Sequence, residues 1–88
     1  MGKPVTVSNQ FKRDLRKQYL LLVSTEWAEV LNTLANDGIL PEKYRNHPLK
    51  GNYAGYWECH IRPDLLLIYK SGDDGLFLAR LGTHADLF

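Results

Sequence analysis

The sequence has a single cysteine, Cys59, among its 88 residues. One thiol cannot form an internal disulfide, so the cross-linked frameworks of small secreted proteins are excluded and a reducing cytoplasm is the expected location. No apolar run approaches the roughly 20 residues of a membrane span, since LLLV at 20–23 is too short. No secretory signal is visible. We expect a cytoplasmic protein without membrane contact, folded as one domain over residues 1–88.

Motifs that bind metals or cofactors are missing as well. The sequence has no CxxC or HExxH spacing, and Cys59 and His60 are adjacent, so on a strand they point to opposite faces and cannot readily share an ion. The run KGNYAG at 50–55 is neither a P-loop nor a dinucleotide fingerprint. We therefore expect neither a metal nor a cofactor. We do not expect Cys59 to act as a nucleophile, because strand alternation places it with Trp57 and Ile61 in the core.

The sequence also has no large excess of positive or negative charge, because its formal net charge is only +1. That value alone does not indicate nucleic-acid binding. The distribution is uneven, however, with net +4 over residues 1–20 and net +2 over residues 41–62. Two basic regions can converge in space on a polyanion. The alternative is ordinary solubilising charge.

Hydrophobic spacing predicts a short strand followed by two helices. A β-favouring run covers 5–7, and Ser8 then stands where a helix N-cap is expected. The first helix is predicted over 9–22, and the second begins at a cap in 24–26 and ends at Gly38. The apolar stripes that predict these helices are Phe11, Leu15, Tyr19 and Leu22 in the first, and Trp27, Val30, Leu31 and Leu34 in the second.

The second half of the chain predicts a loop and three strands. Two prolines, two glycines and two asparagines make 40–56 a loop or a set of turns. Strands are predicted over 57–62, 65–70 and 76–81, with a hairpin turn at 71–75. The fold class is therefore α+β, in the order β-α-α-β-β-β, with a small antiparallel sheet covered on one face by an N-terminal helical hairpin.

The uncovered face of that sheet is the predicted position of a polar site. Alternation places Trp57, Cys59 and Ile61 on one face of the first long strand and Glu58, His60 and Arg62 on the other, and it groups Phe77, Ala79 and Leu81 on the last strand. His60 and Arg80 are out of register with the apolar sets, so both are expected on the open face. Asp64 follows the first of these strands, His84 follows the last, and His47 lies in the long loop.

These residue types suit cleavage of a phosphodiester. Histidine has a reference pKa of about 6.5 and exchanges protons at cellular pH, while a guanidinium matches phosphate geometry. The 2′-hydroxyl of RNA supplies an internal nucleophile, so no metal is required. The alternative for each single histidine is a surface or hydrogen-bonded structural role. Aromatic residues can stack on unpaired bases or pack the loop onto the sheet; they are Tyr44, Tyr53, Tyr56 and Phe88.

An ordered series of short motifs resembles a known family. The runs are H-P-L, G-Y-x-E-C-H, P-D, L-L-I-Y-K and G-T-H-x-D-L-F, all within residues 40–88. Together they resemble the YafQ branch of the RelE/ParE superfamily, the toxin halves of bacterial toxin–antitoxin pairs. The resemblance implies a RelE-like, microbial RNase-like fold and metal-free cleavage of mRNA in the ribosomal A site. It also implies inhibition by a cognate antitoxin, through which alone the toxin would contact operator DNA.

The resemblance also implies roles for individual residues. By position, the family's catalytic set falls on His47, His60, Asp64, Arg80, His84 and Phe88. His84 would protonate the leaving 5′-oxygen, Asp64 or His60 would help remove the 2′-proton, and Arg80 would hold the phosphate while His47 orients or shares the proton. RNA phosphates are expected to contact Lys43, Arg45, Lys50 and Arg62. Where some members carry Trp after Pro-Asp, this chain has Leu65.

Two other functions remain open at this point. A ParE-like protein would poison DNA gyrase by binding alone, and a degenerate family member would only bind its antitoxin. The His/Asp/Arg set separates these alternatives from a nuclease, because a protein that only binds does not require it.

Overall fold

The computed structural model describes residues 2–88. In chain order its helices and strands are β1 Val5–Val7, α1 Asn9–Arg16, α2 Thr25–Ala35, β2 His47–Pro48, β3 Trp57–Arg62, β4 Leu65–Gly72, β5 Gly75–Gly82 and α3 His84–Leu87. Short 3₁₀ helices cover Tyr19–Val23, Glu42–Tyr44 and Gly51–Tyr53. The predicted α+β class and element order are confirmed, with β2 and α3 as additions. No helix in the described part of the chain is long and apolar enough to cross a bilayer.

The sheet has five strands in the order β1-β5-β4-β3-β2. The pairs β3–β4 and β4–β5 are antiparallel, as predicted, and the additional strand β2 pairs antiparallel to β3. β1 differs, because it pairs parallel to β5 with Val5 opposite Leu76, so the whole sheet is mixed. The turn between β4 and β5 is a hairpin in which Gly72 is opposite Gly75, as the run SGDDG predicted.

α1 begins where the sequence indicates but ends early. The Ser8 hydroxyl accepts a hydrogen bond from the Phe11 N–H (2.9 Å) and donates one to the Ala79 carbonyl (2.6 Å), which ties the helix to β5. The predicted helix over 9–22 stops at Arg16, because the next amides bond three residues back and the chain tightens into 3₁₀ geometry. Tyr19 and Leu22, which belong to the apolar stripe of the predicted helix, are therefore exposed, and Leu21 is buried instead.

α2 is capped at both ends. The Ser24 hydroxyl accepts a hydrogen bond from the Trp27 N–H at 3.2 Å. At the other end the Gly38 N–H donates to the Thr33 carbonyl at 2.8 Å, while Asp37 takes the left-handed conformation with φ of 56°. This is a Schellman ending in which the left-handed residue is the one before the predicted glycine.

The main core lies between the helices and the sheet. It contains Phe11, Trp27, Val30 and Leu34 from the helices and Cys59, Ile61, Leu67, Leu78 and Leu81 from the strands. A second, smaller cluster lies on the opposite face and contains Leu66, Ile68, Ala79 and Leu87. The loop before β3 packs on this second cluster through Leu49, Tyr53 and Tyr56. β4 is therefore buried on both faces, as its apolar composition predicted.

An irregularity in the register of β5 changes which face some of its side chains occupy. On β5 the register shifts between Arg80, opposite Ile68, and Leu78, opposite Tyr69, so Ala79 is an extra residue. Ala79 and Arg80 consequently point to the same side, and Leu81 returns to the main core. The predicted face shared by Phe77, Ala79 and Leu81 is wrong for Leu81. Trp57, also predicted to be in the core, is 40% exposed at the start of β3.

Candidate active site

Strand register brings three polar side chains onto one row of the sheet. Arg80 on β5 is opposite Ile68 on β4, Ile68 is opposite Glu58 on β3, and Glu58 is opposite His47 on β2. Residues directly opposite each other in paired strands lie on the same face. Arg80, Glu58 and His47 therefore share the face that the helical hairpin leaves uncovered, and His60 follows two residues after Glu58.

Glu58 is the centre of the polar cluster. Its side chain is buried, and its Oε1 lies 3.3 Å from Nε2 of His47 and 3.5 Å from Nε2 of His60. Within residues 2–88, its Oε2 has no hydrogen-bond partner. The predicted site did not include Glu58, although the spacing Glu-Cys-His already placed it on the same strand face as His60.

The other ring nitrogens of these two histidines face backbone carbonyls. Nδ1 of His47 lies 2.7 Å from the Arg45 carbonyl oxygen, and Nδ1 of His60 lies 3.4 Å from the Pro63 carbonyl oxygen. A carbonyl only accepts hydrogen bonds, so these contacts place a hydrogen on Nδ1 and turn Nε2 towards Glu58. Arg45 has a left-handed backbone with φ of 48°, and it presents this carbonyl to His47. The Nε2 atoms of both rings therefore face the same oxygen of Glu58.

His84 is fixed by a different carboxylate. Oδ1 of Asp64 accepts a hydrogen bond from the His84 backbone N–H at 3.2 Å and from its ring Nδ1 at 3.1 Å. These hydrogen bonds from His84 hold the pKa of Asp64 below its ordinary value. His84 is also the first residue of α3, which begins with a capping box between Thr83 and Asp86. The ring is therefore oriented by Asp64 but exposed to solvent, with Nε2 available to a substrate.

The histidine rings form a continuous series that ends on an aromatic side chain. Ring centroids are 6.2 Å apart for His47 and His60, 5.7 Å for His60 and His84, and 6.3 Å for His84 and Phe88. Phe88 packs edge-on against Tyr53 at 6.0 Å and is 63% exposed. The structure thus brings together five of the predicted residues, and Phe88 presents an exposed ring beside His84.

Arg80 is the sixth predicted residue, and Asp14 of α1 holds it. The Nε of Arg80 lies 2.9 Å from Oδ2 of Asp14. That Oδ2 atom also accepts a hydrogen bond from the Leu81 N–H at 3.0 Å. Burial alone would raise the pKa of Asp14, but the hydrogen bonds from Arg80 and Leu81 lower it below its ordinary value. The hydrogen bond with Asp14 raises the pKa of Arg80. Two strand spacings, about 10 Å, separate the backbones of Arg80 and Glu58.

The predicted RNA-binding residues do not all line the same groove. A groove of about 380 Å³ beside His60 is lined in part by Lys43, Arg45 and Arg62. The register shift after His60 turns Arg62 towards α2, where its Nε lies 3.0 Å from Glu26 Oε2. The alternation that grouped Arg62 with Glu58 and His60 is therefore wrong at this residue. Lys50 is exposed and does not line this groove.

Three side chains of the cluster are also close enough to bind one metal ion. Glu58, His60 and His84 each offer a ligand atom, and these atoms lie within 4.8 Å of one another. Imidazole nitrogen and carboxylate oxygen suit zinc and other transition metals. The sequence offered no conventional metal motif, since the third ligand comes from a distant part of the chain. Cys59, which the sequence excluded as a ligand partner of His60, lies in the main core.

A mixed sheet with two helices on one face and a histidine–carboxylate cluster on the other defines a RelE-like toxin. Comparison with known proteins agrees. A family model described as the bacterial toxin of type II toxin–antitoxin system, YafQ, matches residues 3–88. The mRNA interferase toxin YafQ of Escherichia coli K12 is 39% identical, over 99% of this chain and 86% of the relative. The chain belongs to the YafQ toxin family, as its motifs predicted.

Solved structures give the same result. A copper-bound mutant toxin from Helicobacter pylori matches with a TM-score of 0.88 and 37% identity over the full length of both chains. YafQ from Escherichia coli BL21(DE3) matches with a TM-score of 0.86 and 33% identity over 98% of each chain. In the Escherichia coli DinJ–YafQ toxin–antitoxin complex, the matching chain has a TM-score of 0.84 and 33% identity over 100% of this chain and 99% of its own.

Proposed function

We propose that this protein cleaves mRNA at the cluster formed by His47, Glu58, His60, Asp64 and His84, with Arg80 as the phosphate-binding cation. The observation that carries the proposal is the arrangement of three imidazole rings around a buried carboxylate, with centroid separations of 6.2 and 5.7 Å. The protein is an mRNA interferase, an endoribonuclease toxin of a type II system, like its relatives in Escherichia coli.

The protein partners follow from that class. The cognate antitoxin binds and neutralises the toxin, as the DinJ–YafQ complexes support. We further propose that the substrate is mRNA in the ribosomal A site, so the toxin acts in the cytoplasm as a single domain. Operator DNA would be reached only through the antitoxin.

The proposed reaction uses the ribose as its own nucleophile. The 2′-oxygen attacks the adjacent phosphorus while its proton moves to a base, and the bond from phosphorus to the 5′-oxygen breaks as an acid protonates that oxygen. The products are a 2′,3′-cyclic phosphate, or a 3′-phosphate after hydrolysis, and a 5′-hydroxyl. Every atom and proton is accounted for without a metal, so we propose a metal-independent cleavage.

Hydrogen-bond partners support a division of roles. Asp64 accepts both N–H groups of His84, so it positions His84 and leaves Nε2 to protonate the 5′-oxygen. Nε2 of His60 lies 3.5 Å from Oε1 of Glu58, and His60, with its hydrogen on Nδ1 and Nε2 free to take up a proton, is the candidate base. His47 contacts the same Glu58 oxygen and can share the proton. We therefore favour His60 over Asp64 as the base.

Binding of the substrate would use groups around this centre. Arg80 would neutralise the charge that develops on the phosphorane, since a fixed guanidinium is preorganised for it. Phe88 exposes a ring on which a base can stack, a contact worth about 1–3 kcal/mol. Lys43, Arg45 and Lys50 would contact RNA phosphates, and Arg62 would contribute after release from Glu26. High salt should then weaken binding.

A second function at the same residues is binding of a transition-metal ion. The ligand atoms of Glu58, His60 and His84 favour it, and a relative from Helicobacter pylori is described as metal-bound. An ion there would occupy the nitrogens that exchange protons and would inhibit cleavage. Added Cu²⁺ or Zn²⁺ should lower the cleavage rate, and a chelator should restore it.

The decisive test is induced expression of wild type and His84→Ala with mapping of mRNA 5′ ends. Wild type should arrest growth and create new 5′-hydroxyl ends, and His84→Ala should do neither. Asp73→Asn, in the hairpin turn at the other end of β5, is the matched control and should behave as wild type. Equal growth arrest by His84→Ala without new ends would reject the nuclease, and a supercoiling assay would then test the gyrase-binding alternative.

A further inference from the structure

A cleft separate from the catalytic cluster opens between the end of α2 and the start of β3, with a volume of about 280 Å³. The side chains that line it are those of Leu34, Asp37, Asn46, Trp57, Tyr69 and Ser71. Trp57 alternates with Glu58 on β3, so it lies on the helix side of the sheet and not on the face of the cluster. Trp57 is 40% exposed, whereas Leu34 and Tyr69 are buried. This cavity is called the Trp57 cleft below.

The amide of Asn46 is held in place at the Trp57 cleft. The Tyr69 hydroxyl donates a hydrogen bond to Oδ1 of Asn46 at 2.5 Å. Burial raises the pKa of Tyr69 to about 12, so this hydroxyl stays protonated and keeps its role as donor. Because the amide oxygen is occupied by this contact, the amide nitrogen of Asn46 remains as a donor with two hydrogens. A ligand with an acceptor atom at its edge can therefore bind there.

Lys3 supports another wall of the cleft. Its ammonium lies 2.6 Å from Oδ1 of Asp37. It also donates hydrogen bonds to the Ser71 hydroxyl at 2.7 Å and to the Gly72 carbonyl at 2.8 Å. These contacts join the N-terminal segment to the end of α2 and to β4. Since the ammonium balances the charge of Asp37, this wall does not repel a polyanion.

The size and chemistry of the Trp57 cleft match a single nucleobase. Pockets for drug-sized ligands have volumes of about 300–1,000 Å³, so a cleft of about 280 Å³ suits a smaller group. The exposed indole offers a flat face for stacking, which every base can use. The Asn46 amide can donate to the edge of a base, which is accessible when the base is unpaired.

The chain itself connects the Trp57 cleft to the catalytic cluster. His47 belongs to the cluster, and Asn46, next to it in sequence, lines the cleft. Arg45 lines the groove beside His60 and also a groove of about 470 Å³ that includes Asn46. β2 is the outermost strand of the sheet, so an RNA strand can pass around this edge from one face to the other.

We propose that the Trp57 cleft binds an unpaired base of the mRNA, outside the two nucleotides joined by the scissile bond. The base stacks on Trp57 and accepts a hydrogen bond from Asn46, while Arg45 binds a phosphate between the cleft and the cluster. The substrate strand is favoured over ribosomal RNA because continuous grooves lead from the cluster to the cleft. The inference rests on the proposed function and adds to it a binding subsite away from the reacting atoms.

The fluorescence of Trp57 gives a direct test. Trp27, the other tryptophan, is only 6% exposed, so a stacked base should quench the emission of Trp57 alone. The probe is a short single-stranded 2′-O-methyl RNA, which lacks the nucleophile and is not cleaved. It should quench wild type, whereas the same strand with abasic sites should not. Trp57→Phe should lose the quenching but keep binding, measured by the anisotropy of a labelled strand.

Trp57→Leu removes the stacking face and keeps an apolar side chain. It should bind the probe about 5–150-fold more weakly, which corresponds to the loss of one base–aromatic stack. On ribosomes its KM for mRNA should rise while kcat is retained, because the cleft does not touch the reacting atoms. Tyr19→Leu is the matched control, since Tyr19 is an aromatic residue that is 64% exposed outside the cleft, and it should match wild type. Asn46→Asp removes the donor without altering Trp57 and should also weaken binding.

Several results would overturn the proposal. Absence of quenching in wild type, or equal quenching by the abasic strand, would exclude a base at Trp57. Wild-type affinity of both Trp57→Leu and Asn46→Asp would exclude the cleft.

Photo-crosslinking separates the two sources of the base. On ribosomes, mRNA that carries 4-thiouridine should crosslink to the peptide containing Trp57. A crosslink of this peptide to ribosomal RNA instead would overturn the assignment to mRNA. If wild type showed base-dependent quenching but did not cleave mRNA, the nuclease proposal would fail and the base-binding cleft would stand.

Discussion

Asp14 on α1 binds the side chain of Arg80 and the backbone of Leu81 with the same carboxylate oxygen, at 2.9 and 3.0 Å. The first helix therefore positions a cation on the last strand. Gln10 supports this contact by donating to the other oxygen of Asp14 at 3.1 Å.

Asp14 is not expected to contact the substrate, but Asp14→Asn should still weaken catalysis. We expect cleavage to fall about tenfold, equivalent to about 1.4 kcal/mol, because Arg80 loses its charged acceptor. Asp14→Ala should cost about 1–3 kcal/mol of unfolding free energy, because the Leu81 N–H is left without an acceptor. Single-turnover cleavage and thermal unfolding measure the two effects. Full activity of Asp14→Asn together with an inactive Arg80→Ala would show that Arg80 needs no positioning.

The same pair predicts a pH dependence. The pKa of Asp14 in the folded state lies below its ordinary value of 3.8. Its contribution to stability is therefore present above pH 3.8 and is lost as the pH falls through the lower folded value. Asp14→Asn should lose less stability than wild type over that acid range.

Glu58→Gln should separate activity from stability. The amide has the same shape but no charge, so the two imidazoles lose the carboxylate that faces their Nε2 atoms, and cleavage should fall about 10–100-fold. Stability should be unchanged or higher, because a buried carboxylate with an unbonded oxygen is replaced by a neutral group. Full activity with unchanged pH dependence would remove Glu58 from the mechanism.

Asp64 should act through the orientation of His84. Asparagine keeps an acceptor for the His84 Nδ1–H and alanine does not, so activity should decrease from wild type to Asp64→Asn to Asp64→Ala. The pKa of Asp64 is lowered by His84, so the contact persists above pH 3.8 and is lost only as the pH falls through the lower folded value. Steady-state kinetics should show the loss in kcat rather than KM. Equal rates for the two variants would contradict this role.

Cys59 should be chemically inert in the folded protein. Burial raises the pKa of its thiol to about 12 from the ordinary 9.0. As the pH rises above 9.0 the unfolded thiol ionises and the folded one does not, so stability should fall with pH in that window. Iodoacetamide at pH 8, below that window, should label Cys59 only in denaturant. Rapid labelling of the native protein would show that this part of the core opens.

Sequence patterns predicted the fold best where each residue's environment is set locally. The caps at Ser8 and Ser24 and the two-residue hairpin turn are local, and the structure has all three. The 3₁₀ helix that exposes Tyr19 was not predictable from an apolar stripe, because helical spacing does not show where α-helical bonding ends. The parallel pairing of β1 with β5 depends on residues far apart in the chain.

The candidate site shows the same limit. Residue types and alternation indicated His60 and Arg80 on the open face with Asp64, His84 and His47 beside them, and family resemblance added Phe88 to the catalytic set. Alternation failed at Arg62 and Leu81 because each strand contains a register shift that no turn residue announces. Glu58 and Asp14 were missed because their importance comes from partners on other strands and helices.

The row from Arg80 through Ile68 and Glu58 to His47 has a consequence for the cell that makes this toxin. These residues come from four strands, and the row closes only after β5 has paired with β4. During synthesis His47 and His60 leave the ribosome first, and Arg80 and His84 leave it last. The row is therefore complete only when the final strand is in place, so a partly synthesised chain lacks the proposed site.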